Sequence, residues 1–100
     1  MRRGEIWVAR LNPNQGAEVG KLRPVVIVVP LTTQDRPGTR ALRVPIRSRD
    51  RLLCDSYAMA DQPRSLDRSR LGDGPLATLS PEELAELEQA LLGVMGIGLG

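Results

Sequence analysis

The run Pro24-Val25-Val26-Ile27-Val28-Val29-Pro30-Leu31 constrains the fold of this chain more than any other stretch. Every residue from 25 to 29 is β-branched, which stiffens χ1 and penalises a helix while suiting a pleated surface. Apolar on both faces, the run predicts a central strand covered on both sides. Pro30 cannot donate to a ladder, so a bulge or bend is expected there. No Gly, Asn or Asp lies between Pro24 and Leu31, and two antiparallel strands therefore cannot be folded inside it.

The flanks of this strand carry the polar groups. Before it, Gly16-Ala17-Glu18-Val19-Gly20-Lys21-Leu22-Arg23 is a glycine-punctuated loop; after it come Thr32-Thr33-Gln34. A guanidinium at the foot of a strand offers a planar fork to phosphate, and a threonine hydroxyl at the strand end can donate to the same oxygens. Taken alone, Arg23 reads equally well as a surface partner of Glu18, worth under about 1 kcal/mol, and the threonines as an ordinary strand end.

Around this centre the remaining elements are short. Glu5 to Leu11 alternates as a half-buried strand and stops at the turn chemistry of Asn12-Pro13-Asn14-Gln15-Gly16. Asp35 to Thr39 reads as a turn, and Arg40 to Ile46 as an edge strand with its arginines toward solvent. A charged loop, Arg47 to Arg51, precedes a strand from Leu52 to Asp61 that Gln62-Pro63 ends. Ser65 to Leu71 reads as a helical turn capped by Ser65, then Gly72-Asp73-Gly74-Pro75 as a turn and Leu76 to Leu79 as a brief strand. Ser80-Pro81-Glu82-Glu83 supplies an N-cap, a proline in the first turn and the glutamate of a capping box, so a helix begins there. Leu84, Leu87, Leu91 and Met95 form its apolar stripe, for core or dimer contact, and Gly93 and Gly96 offer its end.

A chain of 100 residues makes a single domain, 1–100, able to bury roughly 65% of its unfolded surface. With no Phe, one Trp and one Tyr, aliphatic residues must fill the core, and base stacking on aromatic rings is scarce. Histidine is absent and Cys54 stands alone, which excludes zinc clusters, Ser-His and Cys-His dyads and histidine-pair ribonuclease chemistry. The lone cysteine fits a reducing cytoplasm, with Cys54 itself an inert small hydrophobe. Residues 1–70 hold all 14 basic and 7 acidic groups, whereas residues 71–100 hold 5 acidic groups and no basic one. Such a body suits nucleic acid. Neither a signal peptide nor a membrane span is expected.

The motifs Arg3-Gly4-Glu5-Ile6-Trp7, Gly16-Ala17-Glu18, Arg23-Pro24-Val25-Val26, Pro30-Leu31-Thr32-Thr33-Gln34, Ala60-Asp61-Gln62 and Leu79-Ser80-Pro81-Glu82-Glu83-Leu84, in this order, resemble the MazF/PemK toxins of bacterial toxin–antitoxin systems. The resemblance covers nearly the whole chain. It implies a mainly β fold with a C-terminal helix, a small twisted antiparallel barrel-like sheet related to that of the CcdB toxins, assembled as a homodimer. It further implies a cytoplasmic endoribonuclease that needs no metal or cofactor and cleaves single-stranded RNA by attack of a 2′-hydroxyl on the adjacent phosphorus, restrained by a cognate antitoxin. On the matching positions Arg23 and Thr32 would be catalytic, with Glu18 a candidate base; Lys21, Gln34, Arg64 and Arg70 would contact RNA.

In one place the chain departs from the family pattern. Family members carry a loop of a dozen or more residues between the Arg-Pro-Val-Val strand and the strand ending Pro-Leu-Thr-Thr-Gln, whereas here Val26 to Val29 runs straight through. At roughly 3.3 Å per residue an unbroken strand would hold Arg23 and Thr32 about 30 Å apart, so a composite site is expected only with such a loop in place. The competing functional class is a non-enzymatic, toxin-like interaction module, either a gyrase poison in the manner of CcdB or a degenerate copy. Trp7 is expected in the core, Asp61-Gln62 as a structural hydrogen-bonding pair, and Arg64, Arg68 and Arg70 as solvated charges with RNA contact the lesser expectation.

Overall fold

The computed structural model describes residues 1–10, 25–36, 38 and 42–97. Among the described residues seven short strands precede one α-helix: β1 (Glu5–Ala9), β2 (Val25–Val28), β3 (Leu31–Thr32), β4 (Arg43–Ile46), β5 (Ser56–Met59), β6 (Arg64–Asp67), β7 (Leu71–Thr78) and α1 (Pro81–Val94). All pairings between them are antiparallel. They form β1–β7, β2–β6 and the three-stranded sheet β3–β5–β4.

The central run breaks where its proline predicts. Val25–Val28 pairs with β6, Val29-Pro30 steps out, and Leu31–Thr32 pairs with β5, so one bent path lies against the equally bent path of β5 and β6. Pro30 still serves the ladder as an acceptor, its carbonyl taking the Met59 N–H at 2.9 Å. No hairpin intervenes, and β2 and β3 continue in the same sense. The expectation of a strand covered on both sides is corrected: among the described residues β2 has β6 as its only ladder neighbour, and Ile27 is 79% exposed. Apolar composition on both faces does not distinguish a central strand from an apolar edge.

Four other expectations also change. Residues 64–67 are strand, and the single 3₁₀ turn that follows, Arg68–Arg70, is capped by Asp67 rather than Ser65, through its carboxylate accepting from the Ser69 N–H. The Gly72-to-Pro75 turn is absorbed into β7, where register slips against Ile6, Trp7 and Ala9 take up the extra residues as bulges. Finally, β1 stops at Ala9 instead of Leu11, and the strand expected from Leu52 to Asp61 is confined to Ser56–Met59.

The sheet β3–β5–β4 has one face in the core. Val44, Ile46, Ala58 and Ala60 are buried there with Leu87 of α1, and Ile6, Leu31, Leu52, Leu79, Ala90 and Leu91 pack around them. With such small residues on the sheet, the leucines of α1 supply the bulk, as the absence of Phe requires. Trp7 is half-buried and gives its indole N–H to Glu5 Oε1 at 3.3 Å.

Helix α1 begins and ends by side-chain chemistry legible in the chain. The Ser80 hydroxyl accepts from the Glu83 N–H at 3.1 Å while the Glu83 carboxylate accepts from the Ser80 N–H at 2.8 Å, a complete capping box. At the other end Gly96, at φ +71°, gives its N–H to the Gly93 carbonyl and Ile97 gives its own to Leu92, which is a Schellman closure. Glu83 has a second partner. Arg49, from the loop joining β4 to β5, donates to both its carboxylate oxygens at 2.5 Å and also to the carbonyls of Arg47 and Thr78. Arg51 N–H donates to Leu76 O at 2.9 Å and Ser48 N–H to Asp55 at 2.7 Å, so this charged loop is fastened to β7, to α1 and to itself.

Candidate functional site

Thr32 ends β3, half-buried, because a two-residue strand pairs Leu31 with Ala58 on the core face and Thr32 with Tyr57 on the outer one. Its Oγ1 accepts the Gln34 N–H at 3.2 Å, and Arg36 donates to Gln34 Oε1 at 3.3 Å. This local turn fixes the hydroxyl as an acceptor, and its proton is left to donate outward. Thr32 is thus presented by rigid backbone at the rim of a sheet, with Gln34 beside it, as the sequence motif implied.

The other candidate residues are distributed unevenly around it. Thr32 and Arg64 border one open cleft of about 810 Å³, walled mainly by apolar residues that include Trp7, Val26, Val29 and Leu66; Gln34 and Arg70 do not line it. Arg64 is exposed on β6, opposite Val28. Arg70 is half-buried in the 3₁₀ turn, its carbonyl accepting from the Arg10 N–H at 2.8 Å. Arg10 also donates to Ser69 O, which places a further cation, unmarked by any motif, beside Arg68 and Arg70. Glu18, Lys21 and Arg23 lie outside the described residues, so the expectations attached to them concern chemistry that the described structure does not reach.

Three carboxylates among the described residues, Glu5, Asp55 and Glu83, are shifted downward. The Arg2 N–H holds Glu5 below its ordinary value, the Ser48 N–H does the same for Asp55, and the Arg49 guanidinium lowers Glu83 to about 2. A general base at neutral pH needs the opposite shift, so these acids are structural acceptors. Asp61 departs from its expectation: its Oδ1 is buried with no hydrogen-bonding partner, while Gln62 N–H bonds Met59 O. Arg43 is half-buried with its Nε buried and unpartnered among the described residues, which corrects for Arg43 the expectation that it faces solvent; Arg40 lies outside the described residues. Cys54, expected to pack as a small hydrophobe, is exposed. Among the described residues no three His, Cys, Asp or Glu side chains converge as metal ligands. None of the described helices is long and apolar enough to cross a membrane.

The placing of Tyr57 opposite Thr32 is not legible in the sequence. The alternation of Ser56, Tyr57, Ala58, Met59 and Ala60 suggests which way the ring points, but its pairing with Thr32 depends on register across a long connection, which no local signal discloses.

Residues 2–95 match the model of the PemK-like, MazF-like toxins of type II toxin–antitoxin systems. Endoribonuclease MazF9 of Mycobacterium tuberculosis (strain ATCC 25618 / H37Rv) is 34% identical over 114 aligned positions, covering 91% of this chain and 92% of that one. The aligned positions exceed the 100 residues of this chain, so the relative carries residues with no counterpart here. Among solved structures, an endoribonuclease from a mycobacterial species superposes with a TM-score of 0.69 at 23% identity over 100% of this chain and 95% of its own. Another, a mycobacterial endoribonuclease in complex with its cognate antitoxin, gives 0.64 at 24% identity over 94% and 82%. At these identities the structural likenesses speak for the fold, and the mainly β architecture closed by a C-terminal helix is common to them and to this chain. Taken with the family match across nearly every residue and a relative sharing a third of its sequence, they establish that the chain belongs to the PemK-like, MazF-like toxin family of type II toxin–antitoxin systems.

Proposed function

We propose that this protein is a metal-independent endoribonuclease toxin of the cytoplasm, active on single-stranded RNA as a homodimer and neutralised by a cognate antitoxin. The observation that carries this reading is the 34% identity, over 91% of the chain, to a protein named as an endoribonuclease. The mycobacterial relative solved with its antitoxin supports the antitoxin as partner. Exposed Val8, Ile27, Leu53 and Met95 leave apolar surface that a second copy would cover.

In the proposed reaction the ribose 2′-oxygen forms a bond to the adjacent phosphorus and loses its proton to a base, for which Glu18 is the candidate. The bond from phosphorus to the 5′-oxygen breaks, and that oxygen takes up a proton, leaving a 2′,3′-cyclic phosphate and a 5′-hydroxyl. Negative charge grows on the non-bridging oxygens along the way. The outward proton of Thr32 is one donor proposed to meet it, and the Arg23 fork is proposed to reach the same charge from the second copy of the homodimer, because no hairpin brings Arg23 back to Thr32 within one copy. Lys21, Gln34, Arg64 and Arg70 are proposed to hold the flanking phosphates and bases.

Incubating the purified protein with a long single-stranded RNA in EDTA tests the reading. Discrete fragments with cyclic-phosphate ends are expected; RNA that remains intact at protein excess overturns it.

A further inference from the structure

Recognition of single-stranded RNA rests on two things, charge for the backbone and flat aromatic faces for the bases. This chain has two aromatic side chains, Trp7 and Tyr57. The Trp7 indole is tied to Glu5 and lies on β1, whereas Tyr57 stands on β5 directly across the ladder from Thr32. On its other side Tyr57 is in register with Pro45 of β4.

The two faces of this sheet differ sharply. Ser56, Ala58 and Ala60 are buried on the core side with Val44 and Ile46, so the intervening Tyr57 and Met59 stand on the outer side with Thr32, Pro45 and Arg43. Residues directly opposite on one face have Cβ atoms roughly 4.5–5.5 Å apart. A phosphate held by the Thr32 hydroxyl therefore brings its attached nucleoside within reach of the Tyr57 ring. Tyr57 is half-buried, with the exposed Pro45 in register on one flank and Arg43 two residues from Pro45 along β4. Hydroxyl and ring, in register on neighbouring strands, match the phosphate and base of one nucleotide step.

We propose that Tyr57 is a base-stacking residue that positions the nucleotide next to the phosphate held by Thr32. This rests on the ribonuclease reading above and adds to it the residue that orients the RNA. Because every base has a π-face, the contact favours single strands over duplex without itself selecting a sequence.

The test uses the full chain and a single-stranded RNA oligonucleotide made uncleavable by 2′-O-methylation and carrying 2-aminopurine, whose fluorescence is quenched by stacking. Cleavage of unmodified long RNA is followed in parallel. Tyr57→Leu keeps apolar bulk and removes the ring, and should weaken binding roughly tenfold, the loss one base–aromatic stack can account for, with the quench abolished and KM raised more than kcat is lowered. Tyr57→Phe, which restores the ring without the hydroxyl, should recover quench and binding. Circular dichroism melts of both variants report folding. Should Tyr57→Leu be folded and bind and quench as the parent does, while Thr32→Val still loses cleavage, the stacking role is overturned and the ribonuclease reading stands. Should Tyr57→Phe lose as much as Tyr57→Leu, the hydroxyl and not the ring face is at work, and the proposal is overturned as well. A parent protein that neither binds nor cuts RNA overturns both readings together.

Discussion

Replacing Glu83 by glutamine isolates the interaction that joins the β4–β5 loop to the C-terminal helix. Glu83 accepts two hydrogen bonds from Arg49, and the side chains of the pair are only 25% and 17% exposed, so solvent screens them weakly. The Arg49 guanidinium first, and the Ser80 N–H after it, lower the Glu83 carboxyl from 4.5 to about 2. At about 1.4 kcal/mol per pH unit, that interval corresponds to about 3 kcal/mol of stability at neutral pH. Glutamine still accepts from Ser80 as a capping-box residue, and Arg49 keeps the carbonyls of Arg47 and Thr78, so Glu83→Gln should cost about 2 kcal/mol. For a domain of this size that lowers Tm by roughly 8–16 °C. Because the folded carboxyl is the more acidic one, the contribution is complete above pH 4.5 and is lost as pH falls toward 2. Urea unfolding of both proteins across pH 2.5 to 7 should therefore show a gap that closes on acidification. The same substitution at Glu88, whose bridge to Arg3 is 41% and 75% exposed, should change stability by less than about 0.5 kcal/mol. A Glu83→Gln gap below about 0.5 kcal/mol at pH 7, or one that persists unchanged at pH 2.5, refutes the argument.

Three further outcomes are expected. Arg23→Lys keeps the charge but loses the planar fork, so RNA cleavage should fall roughly 10²-fold with binding little changed, as single-turnover rates and filter binding would show. Thr32→Val removes the hydroxyl at nearly constant shape and should cost ~2–4 kcal/mol of transition-state stabilisation in kcat, against only about 1 kcal/mol of stability for the lost Gln34 N–H bond. RNA affinity should fall steeply between 50 and 200 mM salt as phosphate contacts release counterions; an affinity flat over that range would remove the basic-surface argument.

The parts of this fold legible in the sequence are those written in contiguous residues. The capping box at Ser80 and Glu83 and the Schellman glycine at 96 each need only a few neighbours, and both are present. Pro30 marks a break because its chemistry is local. Where burial decided the outcome, local pattern misled. The run of β2 looked central yet includes the strongly exposed Ile27, Cys54 read as an inert small hydrophobe yet is exposed, and Gly72 to Pro75 looked like a turn yet is carried into β7 by pairing with β1. For the candidate site, Thr32 and Gln34 were legible as a motif, and the structure adds that a local turn joins them. Tyr57 was not, since cross-strand register is a property of two distant segments.

The edge of β2 that has no ladder neighbour among the described residues is bracketed in the sequence by prolines at 24 and 30. A proline offers no N–H to an incoming strand, so a foreign chain growing along this edge meets a stop on each side of Val25–Val28. Steric zippers use six- or seven-residue segments free of proline. The most aggregation-prone sequence in the chain is thus clipped below the length that fibre growth requires, and an apolar edge can stay open to a chosen partner without templating an indefinite one.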